Sequence, residues 1–108
     1  MTILELQDKT DDWIKKYGVR YFNEMTNLAL LMEEVGEFAR LIARVYGEQS
    51  FKDDESKMKL SEELADIIFV LVCLANQTNT DLTKAIKQNF KKKTLRDQNR
   101  HIRNKKLK

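Results

Sequence analysis

Proline is missing from all 108 residues, and glycine occurs only at positions 18, 36 and 47. Helix interiors exclude both residues, whereas helix surfaces accept charge, and 34% of this chain is charged. No segment reads as a sheet. The predicted fold class is therefore all-α.

Four helices follow from the 3.6-residue periodicity of the apolar positions. The first runs from about Thr2 to Lys16, with Ile3, Leu6, Trp13 and Ile14 as its apolar positions and Tyr17-Gly18 as its stop. The second spans about Asn23 to Tyr46 and is closed by Gly47. Residues 48–56 are polar and aperiodic, which predicts a loop. The third begins near Lys59, with Ser61 as its cap, and continues to about Gln77 before a polar turn at 76–81. The fourth opens on Asp81 as N-cap and turns Leu82, Ala85, Ile86 and Phe90 inward. Beyond Arg96 the chain is basic and expected to fray. The predicted architecture is a four-helix bundle-like domain over residues 1–98, followed by a flexible basic tail over 99–108. A single helical layer of this length buries little apolar surface, so a homodimer or homotetramer is expected.

The longest apolar run, Ile67 to Ala75, has nine residues, against the roughly 20 needed to span a bilayer. The first residues lack the charged-then-apolar pattern of a signal segment. A cytoplasmic protein without membrane contact is predicted. The single Cys73 lies inside that apolar run, where a thiol behaves as a small hydrophobe, so disulfide and cysteine–metal chemistry are excluded.

Charge is divided along the chain. Residues 1–83 hold nine Lys and Arg against 16 Asp and Glu, a net −7, whereas residues 84–108 hold 11 against the single Asp97, a net +10. The first part can hold cations and the second can meet anions.

Two acidic clusters, Glu33-Glu34-Val35-Gly36-Glu37 and Glu62-Glu63-Leu64-Ala65-Asp66, interrupt runs that otherwise read as buried helix. At roughly 100° per residue, Glu34 and Glu37 share a stripe with Leu30, Leu31, Phe38, Leu41 and Val45, and Glu63 and Asp66 share one with Ile67, Val70 and Leu74. Carboxylates on an apolar face are unfavourable by several kcal/mol, on the order of the penalty for any buried ion, unless something pairs with them. Four such acids on two packed helices make a bundle-core cation site. Oxygen-only ligands select Mg²⁺ or Mn²⁺. The only histidine is His101 in the basic tail, so the Glu-x-x-His pairs of di-iron bundles are absent. Glu33 and Glu62 lie roughly 100° from the stripe centres, where a carboxylate can simply meet solvent.

These residues resemble a family. Glu-Glu-x-x-Glu at 33–37, a spacer of 25 residues and Glu-x-x-Asp at 63–66 are similar to the motif of the MazG-like nucleotide pyrophosphohydrolases. The likeness extends to Tyr21-Phe22, to Arg44-x-Tyr46-Gly47-Glu48, to Cys73-Leu74-Ala75-Asn76 and to Arg96-Asp97-x-x-Arg100, and it covers about residues 3–101. The resemblance implies an all-helical, Mg²⁺-dependent enzyme that hydrolyses nucleoside triphosphates to monophosphate and pyrophosphate, with a house-cleaning role toward non-standard nucleotides. It places metal ligands on Glu34, Glu37, Glu63 and Asp66, and makes Glu33 an additional acid for a second metal or for orienting water. It further implies phosphate contacts from Lys92 and Arg96 on the last helix, with Asn76 serving the nucleotide in a site shared with a neighbouring subunit. Trp13 and Phe22 are candidates to stack on a base. The competing reading is a small helical module that binds nucleic acid or a protein partner through residues 84–108; against it stand the four acids, for which such a module has no use.

Overall fold

The computed structural model describes residues 1–50 and 58–108. Four α-helices appear where the periodicity predicts them: α1 over Ile3–Trp13, α2 over Glu24–Val45, α3 over Met58–Gln77 and α4 over Leu82–Asp97. No strand occurs among the described residues. The predicted loop over 48–56 falls largely on residues outside those described.

The helix starts are written in short polar side chains. Thr2 caps α1 in a capping box, its hydroxyl accepting from Glu5 N at 3.1 Å while Thr2 N donates to Glu5 Oε1 at 3.2 Å. Asn23 caps α2 through Thr26 N at 2.8 Å, and Asp81 caps α4 through Lys84 N at 3.2 Å. Ser61 is not the cap of α3, because that helix already runs from Met58 and Ser61 lies within it.

The first helix also ends differently from expectation. It passes into a π-helical turn, Ile14–Gly18, and then reverses at Val19. Val19 has φ 70° and ψ −60°, and Arg20 N donates to Gly18 O at 2.8 Å, which together make a γ-turn. A β-branched residue at positive φ is strained. Gly47, past the end of α2, is required sterically, since a Cβ there would run into the Ala43 carbonyl.

The α2 and α3 helices form the principal packing pair and run antiparallel: Asn27 meets Gln77 at one end, whereas Glu34 and Glu37 meet Glu63 further along. α1 lies antiparallel on α3, with Gln7 bonded to Asn76 and Trp13 edge-on to Phe69 at 5.6 Å between ring centroids. Leu41, Val70, Val72, Cys73, Ala75 and Ile14 are buried in this three-helix body.

The fourth helix does not close a bundle. It packs on α1 at its start, and every side chain from Lys84 to Arg96 is exposed. Ile86 and Phe90, expected to face inward, are 38% and 65% exposed. The radius of gyration is 17.7 Å, against about 13 Å for a compact domain of this length. A single chain thus supplies a three-helix body and a projecting arm.

Candidate active site

Glu34, Glu37 and Glu63 come together where α2 crosses the first half of α3. One carboxylate oxygen from each lies within 4.8 Å of the other two. All three side chains are partly covered, and Glu34 Oε2 and Glu63 Oε2 are buried without a hydrogen-bond partner. Burial first, and then the carboxyls of Glu34 and Glu37, push the Glu63 carboxyl up to about 7. Three clustered acids with two orphaned oxygens fit a hard divalent cation, which would satisfy the oxygens and offset the repulsion.

A cavity of about 320 Å³ opens beside this cluster, with Glu34 in its wall. Its other walls are mostly apolar: Trp13, Ile14, Tyr21, Phe22, Leu30, Phe69, Val70 and Cys73 line it, with Arg20 and Asn27 as polar members. The reversal at Val19 is what folds Arg20, Tyr21 and Phe22 back over α2 and α3. Asn27 is held in place by donating to Gln77 Oε1 at 2.7 Å and to the Phe22 carbonyl at 3.3 Å. Burial raises the Cys73 thiol, so it stays protonated as an apolar wall residue.

Tyr21 also belongs to a partly buried polar chain. Tyr21 donates its hydroxyl proton to Asp11 Oδ1 at 2.7 Å and accepts from Asn76 Nδ2 at 3.0 Å. Burial, then the Asp11 bond, holds the Tyr21 phenol up at about 12. Asn76 also donates to the Gln7 carbonyl at 3.0 Å and accepts from Gln7 Nε2 at 3.0 Å.

The matching family now has a geometry to stand on. The MazG nucleotide pyrophosphohydrolase domain family matches residues 22–101. The chain belongs to the MazG family. Among its relatives is the YpjD protein of Bacillus subtilis strain 168, 36% identical over 102 residues that make up 94% of this chain and 92% of YpjD. The crystal structure of YpjD, a candidate pyrophosphatase, superposes with a TM-score of 0.77 over 85% of this chain and 94% of that one. A second similar structure is the Bacillus-conserved MazG protein, a nucleotide pyrophosphohydrolase: 34% identity, TM-score 0.73, covering 85% of this chain and 88% of that one. As a MazG-family member, this chain is a nucleotide pyrophosphohydrolase.

Within the MazG fold, the residues singled out in the sequence separate into three places. Glu34, Glu37 and Glu63 form the cluster. Asp66, one turn beyond Glu63, and Glu33, beside Glu34, are exposed and stand outside the close group. Asn76 lies at the far end of α3, its amide engaged by Gln7 and Tyr21. Lys92 and Arg96 stand on the projecting arm, where Arg96 donates to Asp97 Oδ2 from Nε at 2.9 Å and from Nη2 at 2.7 Å.

The cavity as a unit was not foreseen. Beside the candidates Trp13 and Phe22 it takes in Leu30 and Phe69 from α2 and α3, and Arg20 from the γ-turn, which no Gly or Pro at Val19 signals.

Proposed function

We propose that this MazG-family enzyme hydrolyses nucleoside or deoxynucleoside triphosphates to the monophosphate and pyrophosphate, with Mg²⁺, or Mn²⁺ in its place, held by Glu34, Glu37, Glu63 and Asp66. The observation that carries the reading is the convergence of three carboxylates, two with orphaned buried oxygens, beside an aromatic-lined cavity whose wall includes one of them, Glu34. Asp66 joins as the ligand one helical turn from Glu63 on the same face.

When bound, the divalent cation supplies charge neutralisation for the phosphate chain and acidifies a coordinated water. The protein's own part is division of labour along the cavity. Trp13, Phe22 and Phe69 offer π-faces and an apolar lining that take a nucleobase out of water, as aromatic walls do for bases generally. Glu34, at the boundary between cavity and cluster, sets the triphosphate on the acidic side. Glu33 is exposed beside the cluster and free to orient or accept a proton from the attacking water. Lys92 and Arg96 contact phosphate as positive charges, Arg96 through the N–H groups that its bonds to Asp97 leave over.

The working unit is a homo-oligomer. Met25, Leu28, Met32 and Val35 repeat at three- and four-residue steps along the outside of α2, Ile42 follows two turns on, and all five are at least 36% exposed. Leu64, Ile68 and Leu71 do the same on α3, at 45–48%. Two adjacent seams of this spacing match the packing stripe of a helical bundle, with a second copy as its other half. Among the described residues no helix is long and apolar enough to cross a membrane, and a cytoplasmic location fits a nucleotide substrate. A house-cleaning role toward non-standard nucleotides is the biological setting this activity would serve.

Incubation of the purified protein with a panel of standard and modified triphosphates and Mg²⁺, with products resolved chromatographically, tests the proposal. Monophosphate and pyrophosphate in equal amounts are expected; absence of both from every nucleotide overturns it.

A further inference from the structure

The cavity beside the cluster contains a buried amide whose bonding is half complete. Asn27 is 5% exposed and stands in the cavity wall. Its orientation is dictated from the backbone outward. The Phe22 carbonyl can only accept, so Gln77, which donates to it from Nε2, must turn its own Oε1 toward Asn27. Asn27 answers with Nδ2, which donates to Gln77 Oε1 at 2.7 Å and to the Phe22 carbonyl at 3.3 Å. Both amide protons are thereby committed. Among the described residues nothing donates to Asn27 Oδ1, and that atom is not sealed in either, because the buried partnerless oxygens are Glu34 Oε2 and Glu63 Oε2. An amide locked in this way shows the cavity a fixed acceptor and no donor.

The other polar groups of the wall narrow what such an acceptor can meet. The Tyr21 hydroxyl is occupied, donating to Asp11 and accepting from Asn76. Glu34 belongs to the carboxylate cluster. Arg20 uses one N–H on the Tyr21 carbonyl at 2.8 Å and keeps the rest of its guanidinium, which can donate but never accept. The cavity therefore offers one recessed acceptor and one set of donors inside an apolar lining. A polar group left unmet in such a lining is unfavourable, so the site favours a base that satisfies it by more than shape alone would give.

Every base carries a donor, but not in the same place. In cytosine and adenine it is an exocyclic amine that stands out from the ring beside a ring nitrogen that accepts. In uracil, thymine, guanine and hypoxanthine that position is a carbonyl oxygen, and the donor next to it is a ring N–H set further back. Against a recessed carbonyl the amine reaches its acceptor, whereas the keto oxygen brings lone pair against lone pair.

We infer that Asn27 is the base-reading residue of this enzyme: its Oδ1 selects triphosphates whose base carries the amine of cytosine or adenine, and Arg20 donates to the ring nitrogen beside it. Modified bases that retain the amine stay within this class. The inference rests on reading the cavity as the base pocket of the pyrophosphohydrolase. Gln77 and the Phe22 carbonyl hold the amide, and Phe22 is itself a wall residue, so the same three groups set the stacking surface and the acceptor together.

Substrate pairs that differ at this group test it. For the wild-type enzyme with Mg²⁺, kcat/KM should favour cytidine over uridine triphosphate, and adenosine over inosine triphosphate, by about 10- to 100-fold in each pair, mainly through KM. Ratios near one, or a preference for the keto member, overturn the proposal. Asn27→Leu, which fills a similar space without the acceptor, should bring both ratios close to one while circular dichroism shows the helices in place. A preference that survives in the folded variant overturns the assignment to Asn27; if the variant does not fold, the wild-type ratios decide. Binding separates this inference from the hydrolase reading. Trp13 fluorescence, titrated with the α,β-methylene analogues of cytidine and uridine triphosphate, needs no turnover, and the cytidine analogue should bind about 10-fold more tightly. If the wild-type protein hydrolyses no triphosphate, the hydrolase reading fails on its own, while equal affinities for the two analogues would overturn base reading by Asn27.

Discussion

The carboxyl groups of Glu34 on α2 and Glu63 on α3 meet across the antiparallel seam, and each keeps one buried oxygen without a hydrogen-bond partner. Such a pair is a liability in the metal-free protein and an asset in the metal-loaded one. Most of the enzyme's testable behaviour follows from that opposition.

The first consequence is pH dependence. The folded protein raises Glu63 from 4.5 to about 7, so it binds that proton more tightly than the unfolded chain does. The group's contribution to stability is complete below about 4.5 and is lost as pH rises through about 7. A cation at the cluster must displace the proton, so its stabilising effect runs the other way. Thermal unfolding in EDTA should therefore show a falling melting temperature from about pH 5 to pH 8, whereas added Mg²⁺ should raise it little at the low end and most at the high end. A Mg²⁺ effect equal at both ends would contradict the assignment.

Replacing Glu63 by Gln should separate stability from activity. The amide removes a buried negative charge from the group, so the metal-free protein should unfold at the same or a higher temperature. Activity should fall by about 100-fold or more, since several kcal/mol of charge stabilisation depend on the cation. Differential scanning fluorimetry and pyrophosphate release, run on the same preparation, give the two numbers.

How far the sequence could be read is clear from individual residues. Asp81 announces the start of α4 because capping depends on one side chain and the next turn, Thr2 and Asn23 stand where apolar periodicity sets the first two starts, and Glu34, Glu37 and Glu63 announce the cluster because acids on an apolar stripe need a local explanation. Ile86 and Phe90 misled because periodicity identifies an apolar face without saying which chain covers it. The outer stripe from Met25 to Ile42 was equally visible, yet a helix apolar on two faces can be resolved into inner and outer seams only when its neighbours are known. Val19 gives no signal at all: its positive φ runs against the preference of a β-branched residue, and the local sequence does not announce the γ-turn.

Trp13 gives a direct view of the cavity, being the only tryptophan in the chain and part of its wall. Titration with a triphosphate in Ca²⁺, to slow turnover, should change its fluorescence, and a nucleobase-free triphosphate should not. Trp13→Ala should raise KM by roughly 10- to 100-fold, in line with about 1–3 kcal/mol for a base stacked on an aromatic ring, with a smaller effect on kcat.

Gln7 is the joint between body and arm. It is 8% exposed, donates to Asn76 Oδ1 and, at 2.9 Å, to the Thr80 carbonyl, and accepts from Leu82 N. Gln7→Ala would strand three polar groups and should destabilise the protein by about 2–3 kcal/mol. Asn76→Ala should cost about as much for the same reason. If the Asn76 amide works only inside this joint, KM at a temperature well below unfolding should be unchanged; a rise in KM would assign it to the nucleotide as well.

The outer seams predict how assembly can be broken without unfolding the subunit. Ile68 is 48% exposed on its own chain, so a charge there meets water in the monomer but would be buried within the seam of the proposed oligomer. Ile68→Glu should leave helical circular dichroism intact while analytical ultracentrifugation shows a shift to monomer, because an unpaired buried charge opposes association by several kcal/mol, about the penalty for breaking a buried ion pair. Activity should disappear with assembly even though every carboxylate of the cluster is still present on each chain. A monomer that retained full activity would mean that one chain's own arm reaches its own cluster, and that the exposed stripes on α2 and α3 serve some other contact.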